Sequence, residues 1–98
     1  MLDITDLDEK IDSTDALMII DKFLEEFKAE YISARSKHGG FHSFHEGYAV
    51  IKEEFEELWD EIKKQKHDRY KLSREAIQVG AMVVAFLVEL LPEYKSIL

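Results

Sequence analysis

Residues 76–91 read AIQVGAMVVAFLVELL, and this stretch decides the fold that the sequence predicts. On a helical wheel, at about 100° per residue, its apolar side chains point in every direction. A helix that is apolar all round has to be covered on all sides. Apolar positions also recur at spacings of four and three from Leu72 to Leu90. We therefore expect a long helix here, at the centre of the protein.

Two earlier segments show the same helical period. In both, apolar residues recur at spacings of three and four, as in helices that pack along their lengths. The first stripe is Leu17, Ile20, Leu24, Phe27 and Tyr31, and the second is Tyr48, Ile51, Phe55, Leu58 and Ile62. The sequence thus predicts an all-α fold, in which three long heptad-patterned helices form a helical bundle.

Capping and breaking residues mark where these helices begin and end. The candidate N-caps are Asp12, Ser13 or Thr14 for the first helix, Ser43 for the second and Ser73 for the third, unless the third helix already begins near Asp68. Gly39-Gly40 should end the first helix, and Pro92 should end the third. We expect residues 1–98 to form a single domain with short arms at residues 1–11 and 93–98.

The composition limits the class of protein. The chain has 98 residues, 46% of them apolar and 35% charged, which is typical of one small globular domain. Its 21 acidic and 13 basic residues give a net charge of −8, opposite to that of most nucleic-acid-binding proteins. The absence of cysteine excludes disulfides and thiol catalysis. With neither a signal-peptide pattern nor an apolar run long enough for a membrane span, we expect a cytoplasmic protein.

A chain of this size has too few helices to surround its third helix. Two other helices cannot readily cover every side of residues 76–91, so we expect a second copy of the chain to cover the remaining face. The oligomer would be a dimer or a tetramer. The alternative cover is the N-terminal arm, which carries Leu2, Ile4, Leu7 and Ile11.

The second helix is rich in carboxylates, and their wheel positions divide them into two groups. Glu53, Glu56 and Asp60 lie far from the apolar stripe and are expected to face solvent. Glu54, Glu57 and Glu61 fall together on one flank of the stripe, and Glu54 lies closest to it. Glu54 and Glu57 are three residues apart, so their side chains are neighbours on the helix surface.

The third helix carries a matching pair, Glu75 and Gln78, at the same angle from its own stripe. If the two helices pack antiparallel, both pairs converge. A divalent cation such as Mg²⁺, which prefers oxygen ligands, would relieve the repulsion between the carboxylates. The alternative is that Glu75 pairs with a lysine or arginine and that Gln78 forms a hydrogen bond across a helix interface.

Basic and aromatic residues near these motifs are candidates for contacts with a substrate. Residues 63–74 hold six of the thirteen basic residues, and Lys71 and Arg74 lie nearest to Glu75. This stretch is equally typical of a helix C-terminus followed by a solvated loop. His38, His42 and His45 share a glycine-containing loop, where a polar role is more typical than a zinc site. Trp59 could stack on a base or lie in the core or an interface.

The order of the acidic motifs resembles that of a known family. Glu53-Glu54-Phe55-Glu56-Glu57 is followed, after seventeen residues, by Glu75-Ala76-Ile77-Gln78. This pattern resembles the EExxE and ExxD motifs of the MazG-like all-α nucleotide pyrophosphohydrolases. The strings His45-Glu46-Gly47-Tyr48 and Arg74-Glu75-Ala76-Ile77 are also similar to a small MazG-like subgroup. The resemblance covers roughly residues 41–90.

The resemblance implies a function and a set of site residues. Family members hydrolyse a nucleoside triphosphate to the monophosphate and pyrophosphate with Mg²⁺ or Mn²⁺, as dimers or dimers of dimers with a four-helix core. Glu54, Glu57 and Glu75 match the metal ligands of the two motifs. Gln78 stands where the family has aspartate, so it could offer an amide oxygen but no charge. Glu53 or Glu57 would orient or deprotonate the attacking water.

Three functions remain open from the sequence. The first is a metal-dependent nucleotide pyrophosphohydrolase, with Lys71, Arg74, His45 and Trp59 as candidate substrate contacts. The second is a MazG-like protein that binds metal or nucleotide with little turnover, because of Gln78 and because fuller family members continue beyond the third helix. The third is a helical adaptor without any such site.

Overall fold

A computed structural model describes residues 12–91, and this part of the chain is helical with short connections. The helices are α1, Ser13–Lys37; α2, Phe44–Ile62; and α3, Arg69–Leu90. Residues 12–91 contain no strand, and the predicted all-α fold with three long helices is confirmed. No helix within these residues has the length and apolar character needed to cross a membrane.

The N-terminus of each helix is capped by a side chain. The carboxylate of Asp12 accepts a hydrogen bond from the backbone N–H of Asp15 at 2.8 Å, and the Ser43 hydroxyl accepts one from Glu46 at 3.0 Å. Asp68 caps α3 by accepting from the N–H of Lys71 at 3.1 Å. The caps at Asp12 and Ser43 are confirmed, whereas Ser73 is the wrong candidate because α3 already begins at Arg69. Pro92 and the predicted arms lie outside the described residues.

The third helix lies in the middle of the fold, as residues 76–91 predict. Both α1 and α2 pack on α3 within residues 12–91, but they do not pack on each other. Contacts towards both ends of α2 show that it runs antiparallel to α3, because Glu57 in its second half lies close to Glu75 in the second turn of α3. Gly47, near the start of α2, lies against Phe86 and Leu90 near the end of α3, where a Cβ atom would come within 2.7 Å of the Phe86 ring.

Helix α1 approaches α3 through small residues. The contacts of Glu26 with Arg74 and of Arg35 with Glu89 show that the two helices run in the same direction. A Cβ atom on Gly80 would lie 2.6 Å from the ring of Phe27, so glycine is what lets α1 come close at this point. Arg74, near the start of α3, bonds Glu30 of α1 at 2.8 Å. Among the described residues, the buried apolar side chains are only Ala16, Ile77, Ala81 and Ala85. The core of the single chain is therefore thin.

Helix α2 turns only part of its apolar stripe, Ile51 and Leu58, towards α3. The positions of α2 that are buried or half-buried are Gly47, Val50, Ile51, Glu54, Leu58 and Glu61. The aromatic side of the predicted stripe points about 90° away from this face and is exposed: Tyr48 by 64%, Phe55 by 56% and Trp59 by 57%. The stripe was expected to pack along its length, and within the single chain most of it does not.

The shape of the molecule agrees with this thin core. The radius of gyration is 15.6 Å, and the principal extents are 43 × 35 × 22 Å. A compact chain of about 100 residues has a radius of gyration of about 13 Å. Three helices that pack side by side, with only the central one contacting both others, give such an open form.

Candidate metal centre

Three carboxylates from two helices meet at one point. Glu54 and Glu57 come from α2, and Glu75 comes from the second turn of α3. One oxygen atom from each lies within 4.8 Å of the others. We call these three residues the carboxylate cluster. Within residues 12–91, none of the three forms an ion pair with a lysine or arginine, so the sequence-based alternative of a paired Glu75 is not what the structure shows.

The carboxylate cluster forms because the face of α2 that packs on α3 includes Glu54. Because Glu54 lies on that face, its side chain points into the contact between the helices. Its Oε2 atom is buried and has no hydrogen-bond partner within the described part of the chain. An unpaired carboxylate oxygen in such a place costs folding free energy unless something neutralises it.

The surroundings of the cluster favour protonated carboxyl groups when no cation is present. Burial, and then the charge of Glu57, raises the pKa of Glu54 to about 7. Burial and the charges of Glu57 and Glu61 also raise the pKa of Glu75 above its ordinary value. Both shifts have the same physical origin, because negative charges are crowded together where water cannot fully solvate them.

A fourth carboxylate, Glu61, lies beside the cluster and was not among the predicted site residues. Only 14% of its side chain is exposed, one of its oxygens accepts from Lys64 at 2.7 Å, and the other is buried without a partner. The signal for Glu61 was its wheel position, on the same flank of α2 as Glu54 and Glu57.

The cluster fits a divalent cation by its chemistry. Three carboxylates supply hard oxygen ligands, which Mg²⁺ and Mn²⁺ accept. The unpartnered Glu54 oxygen provides an atom that such an ion would satisfy. The three residues could therefore hold a metal ion.

A cavity of about 720 Å³ borders this centre. It lies between the C-terminal half of α1, the loop of residues 38–43, the first half of α2 and the second half of α3. Glu53, Glu54 and Gln78 line the side next to the cluster, and Tyr31 and Phe41 lie among the residues that line the side formed by α1 and the loop. The volume falls in the range of small-molecule sites, which is about 300–1,000 Å³.

The predicted site residues divide into those near this centre and those elsewhere. The metal-ligand candidates Glu54, Glu57 and Glu75 come together, and Glu53 and Gln78 line the adjoining cavity. The predicted substrate contacts His45, Trp59, Lys71 and Arg74 do not line it.

The four predicted substrate contacts lie at four different places outside the cavity lining. His45 lines a separate apolar hollow with Tyr48 and Phe86, and Trp59 lies on the exposed stripe of α2. Lys71 is exposed in the first turn of α3. Arg74 bonds Glu26 and Glu30 of α1 at 3.4 and 2.8 Å. The predicted substrate roles of these residues stay predictions.

The histidines of the loop do not gather into a metal site. Among residues 12–91, the three carboxylates form the one group of histidine, aspartate and glutamate side chains with metal-binding geometry. His38 and His42 line the cavity, whereas His45 lies in the separate hollow.

Comparison with known proteins adds no assignment: no family model matches the chain, and neither the curated proteins nor the solved structures contain a match.

Proposed function

We propose that the protein is a metal-dependent nucleotide pyrophosphohydrolase, which converts a nucleoside triphosphate to the monophosphate and pyrophosphate. The observation that supports this most is the meeting of Glu54, Glu57 and Glu75 beside a cavity of small-molecule size. The resemblance of the two acidic motifs to the MazG-like family points to the same chemistry.

The carboxylate cluster suits phosphate chemistry only together with a cation, since carboxylates alone would repel a triphosphate. Glu54, Glu57 and Glu75 would hold Mg²⁺ or Mn²⁺, and Gln78 could add a neutral oxygen ligand. When bound, such an ion neutralises charge that develops on phosphate oxygens. Glu53, which is exposed and lines the cavity, or Glu57 would orient the attacking water and accept its proton.

The cavity is the place where we expect the rest of the nucleotide to bind. It begins at Glu54 and extends towards Phe41 and Tyr31, so a ligand with its phosphates at the cluster could place its apolar part against these rings. Lys37 also lines it and offers positive charge, and Arg35, which pairs with Glu89, lies in the same lining. This assigns the nucleotide to residues other than the substrate contacts expected from the sequence.

The test of this function is a product assay over the common ribo- and deoxyribonucleoside triphosphates. We expect Mg²⁺- or Mn²⁺-dependent release of pyrophosphate with at least one of them, and phosphorus NMR should show the monophosphate as the other product. Release of orthophosphate instead would assign a different reaction. No release with any triphosphate and either metal would contradict the proposed activity.

Gln78 supports a second candidate function, in which the protein binds metal or nucleotide with little turnover. Its amide lines the cavity beside Glu54 but brings no negative charge to the site. Fewer charged ligands mean weaker metal binding.

We expect Gln78→Asp to raise the affinity for Mn²⁺ by about tenfold, because it adds a charged ligand beside the cluster. The rate of pyrophosphate release should rise with it. Without metal the variant should unfold at a lower temperature than the wild-type protein, since it adds like charge to the site. Calorimetric titrations and melting curves of the two proteins measure both effects. Equal metal affinity in the two proteins would show that position 78 is structural.

We also propose that the functional unit is a homo-oligomer, in which a second copy covers the exposed apolar side chains. Among the described residues, sixteen large apolar side chains are more than 40% exposed. The aromatic stripe of α2 and the exposed Val83 and Leu87 of α3 meet at the apolar hollow and would form the centre of this interface.

A charge placed in the α2 stripe should break the oligomer. We expect Phe55→Glu to shift the protein to the 11.5 kDa monomer at micromolar concentration, because burying an unpaired carboxylate costs several kcal/mol. Ala49→Glu, which adds the same charge to an exposed position on another face of α2, should remain associated. Analytical ultracentrifugation measures both. A monomeric wild-type protein would contradict the proposal and favour residues 1–11 as the cover.

A further inference from the structure

A buried carboxylate near the C-terminal end of α3 holds the loop that forms one wall of the cavity. Glu89 interrupts the apolar run of residues 76–91, and only 11% of its side chain is exposed. Its Oε2 atom accepts a hydrogen bond from the Tyr31 hydroxyl at 2.9 Å and pairs with the Arg35 guanidinium. Its Oε1 atom accepts from the backbone N–H of Phe41 at 2.9 Å. Both carboxylate oxygens are thus used.

All the groups that Glu89 binds belong to the same wall. Tyr31 and Arg35 lie in the last turns of α1, Phe41 lies in the loop of residues 38–43, and each of them lines the cavity beside Glu54. Arg35 is held further by its bond to the Tyr31 hydroxyl at 3.1 Å and by its position over the Tyr31 ring. One carboxylate on α3 therefore attaches both the end of α1 and the loop to α3.

Stability alone does not account for an ion pair in this place. A buried ion pair often contributes no more than apolar residues of the same volume would, because both charges lose their hydration. Apolar residues at these positions, however, could not bond the Phe41 N–H and so could not hold the loop. The arrangement therefore fits a role in positioning.

We propose that Glu89 is a positioning residue for the candidate site: through Phe41 and Arg35 it holds the loop of residues 38–43 as the wall against which the nucleotide binds. This inference rests on the proposed function for the nucleotide, whereas the attachment of the loop can be measured independently of it. Loss of the attachment should weaken nucleotide binding and leave the carboxylate cluster unchanged.

Two adjacent glycines provide a matched pair of variants. A Cβ atom on Gly40 would lie 2.5 Å from the Arg35 guanidinium, whereas one on Gly39 would have nothing within 4 Å. Neither glycine has a positive φ angle, so alanine fits the backbone at both positions. Gly40→Ala should therefore displace Arg35 from Glu89, and Gly39→Ala serves as the control with the same chemical change.

The experiment compares Gly40→Ala, Gly39→Ala and Glu89→Gln by amide hydrogen exchange, Mn²⁺ titration and steady-state kinetics. We expect exchange at the Phe41 N–H to speed up by about tenfold or more in Glu89→Gln, because the bond to a charged acceptor becomes a bond to a neutral amide. Exchange should also speed up in Gly40→Ala, because displacing Arg35 leaves Glu89 without one of the partners that hold it in place. With the triphosphate that the wild-type protein hydrolyses fastest, KM should rise by about tenfold while kcat stays within about twofold. Mn²⁺ affinity should remain at the wild-type level in all three variants, and Gly39→Ala should also keep the wild-type exchange rate at the Phe41 N–H.

If Glu89→Gln does not fold, the double variant Arg35→Met with Glu89→Leu replaces the ion pair by apolar volume and still removes the acceptor of the Phe41 N–H. Unchanged exchange at Phe41 in these variants would overturn the attachment. Faster exchange with an unchanged KM would overturn the positioning role. If the wild-type protein hydrolyses no triphosphate, the proposed function fails, and the exchange rates still decide whether Glu89 holds the loop.

Discussion

Glu75→Gln should reduce metal-dependent pyrophosphate release by about a hundredfold to a thousandfold, an effect of the size seen when one charge-stabilising group is removed from an active site. The substitution keeps the shape of the side chain and takes away one charged oxygen ligand from the three that meet between α2 and α3. The measurement is initial rate against Mg²⁺ concentration for both proteins. We expect part of the loss to be recovered at high Mg²⁺, because the ligand set is weakened rather than abolished.

The matched control for this variant is Glu56→Gln. Glu56 lies on the same acidic helix but is exposed, and its nearest partner is Lys52 at 4.0 Å. The control removes the same charge from the protein without touching the cluster, so its rate should stay within about twofold of the wild-type rate, since surface ion pairs contribute little. Equal losses in the two variants would mean that the rate depends on overall charge and not on the cluster.

The metal-free protein should lose stability as the pH rises through the range in which Glu54 ionises. The folded state raises the pKa of this carboxyl from 4.5 to about 7, so it holds the proton more tightly than the unfolded chain does. The stabilisation by the protonated group is therefore complete below pH 4.5, and it is lost as the pH rises from 4.5 through 7.

We expect Glu54→Gln to be more stable than the wild-type protein at pH 8 without metal, because glutamine does not ionise. Allowing for solvent screening of a partly exposed carboxyl, the gain is about 1 kcal/mol, or a melting temperature higher by about 4–8 °C. Melting curves across the pH range, in buffer freed of divalent cations by a chelator, measure this difference.

Adding metal should reverse the order of the two proteins. At a concentration of about 100 times the dissociation constant, a cation that binds only the folded state stabilises it by about 2.7 kcal/mol. The wild-type protein should gain this stabilisation, and Glu54→Gln should lose most of it. If Mg²⁺ and Mn²⁺ raise both melting temperatures equally, Glu54 does not ligate the ion.

Local signals in the sequence were sufficient for the helices and for the meeting of the carboxylates. Asp12 and Ser43 could be read as caps because their side chains act on N–H groups only three residues away. The cluster could be predicted because two pairs of residues, each three apart, lie at equal angles from their stripes on antiparallel helices. These features depend on helix geometry, which is the same in every protein.

The rotation of α2 could not be predicted in the same way. An apolar stripe shows that a helix face needs a cover, but it does not identify the element that covers it. In the single chain α2 contacts α3 through Gly47 and through the flank that carries Glu54. Gly47 has no side chain, and this lets Phe86 come close. The aromatic stripe with Phe55 and Trp59 is left exposed.

The attachment of the loop by Glu89 had no sequence signal beyond one carboxylate in an apolar run. Its partners Tyr31 and Phe41 lie 58 and 48 residues away along the chain. Contacts at such separations follow from the parallel packing of α1 on α3, and this packing is set by Gly80 and Phe27 rather than by any motif. The cavity also had no signal in the sequence, because its lining comes from three helices and a loop.

The central claim is that Glu54, Glu57 and Glu75 form a divalent-cation site, and titration of the metal-free protein with Mn²⁺ tests it most directly. Electron paramagnetic resonance of the free ion counts bound Mn²⁺ independently of any activity. We predict saturable binding that Mg²⁺ displaces and that Glu75→Gln weakens strongly, while Glu56→Gln binds as the wild-type protein does. Absence of saturable binding, or equal binding by Glu75→Gln and the wild-type protein, would contradict the claim.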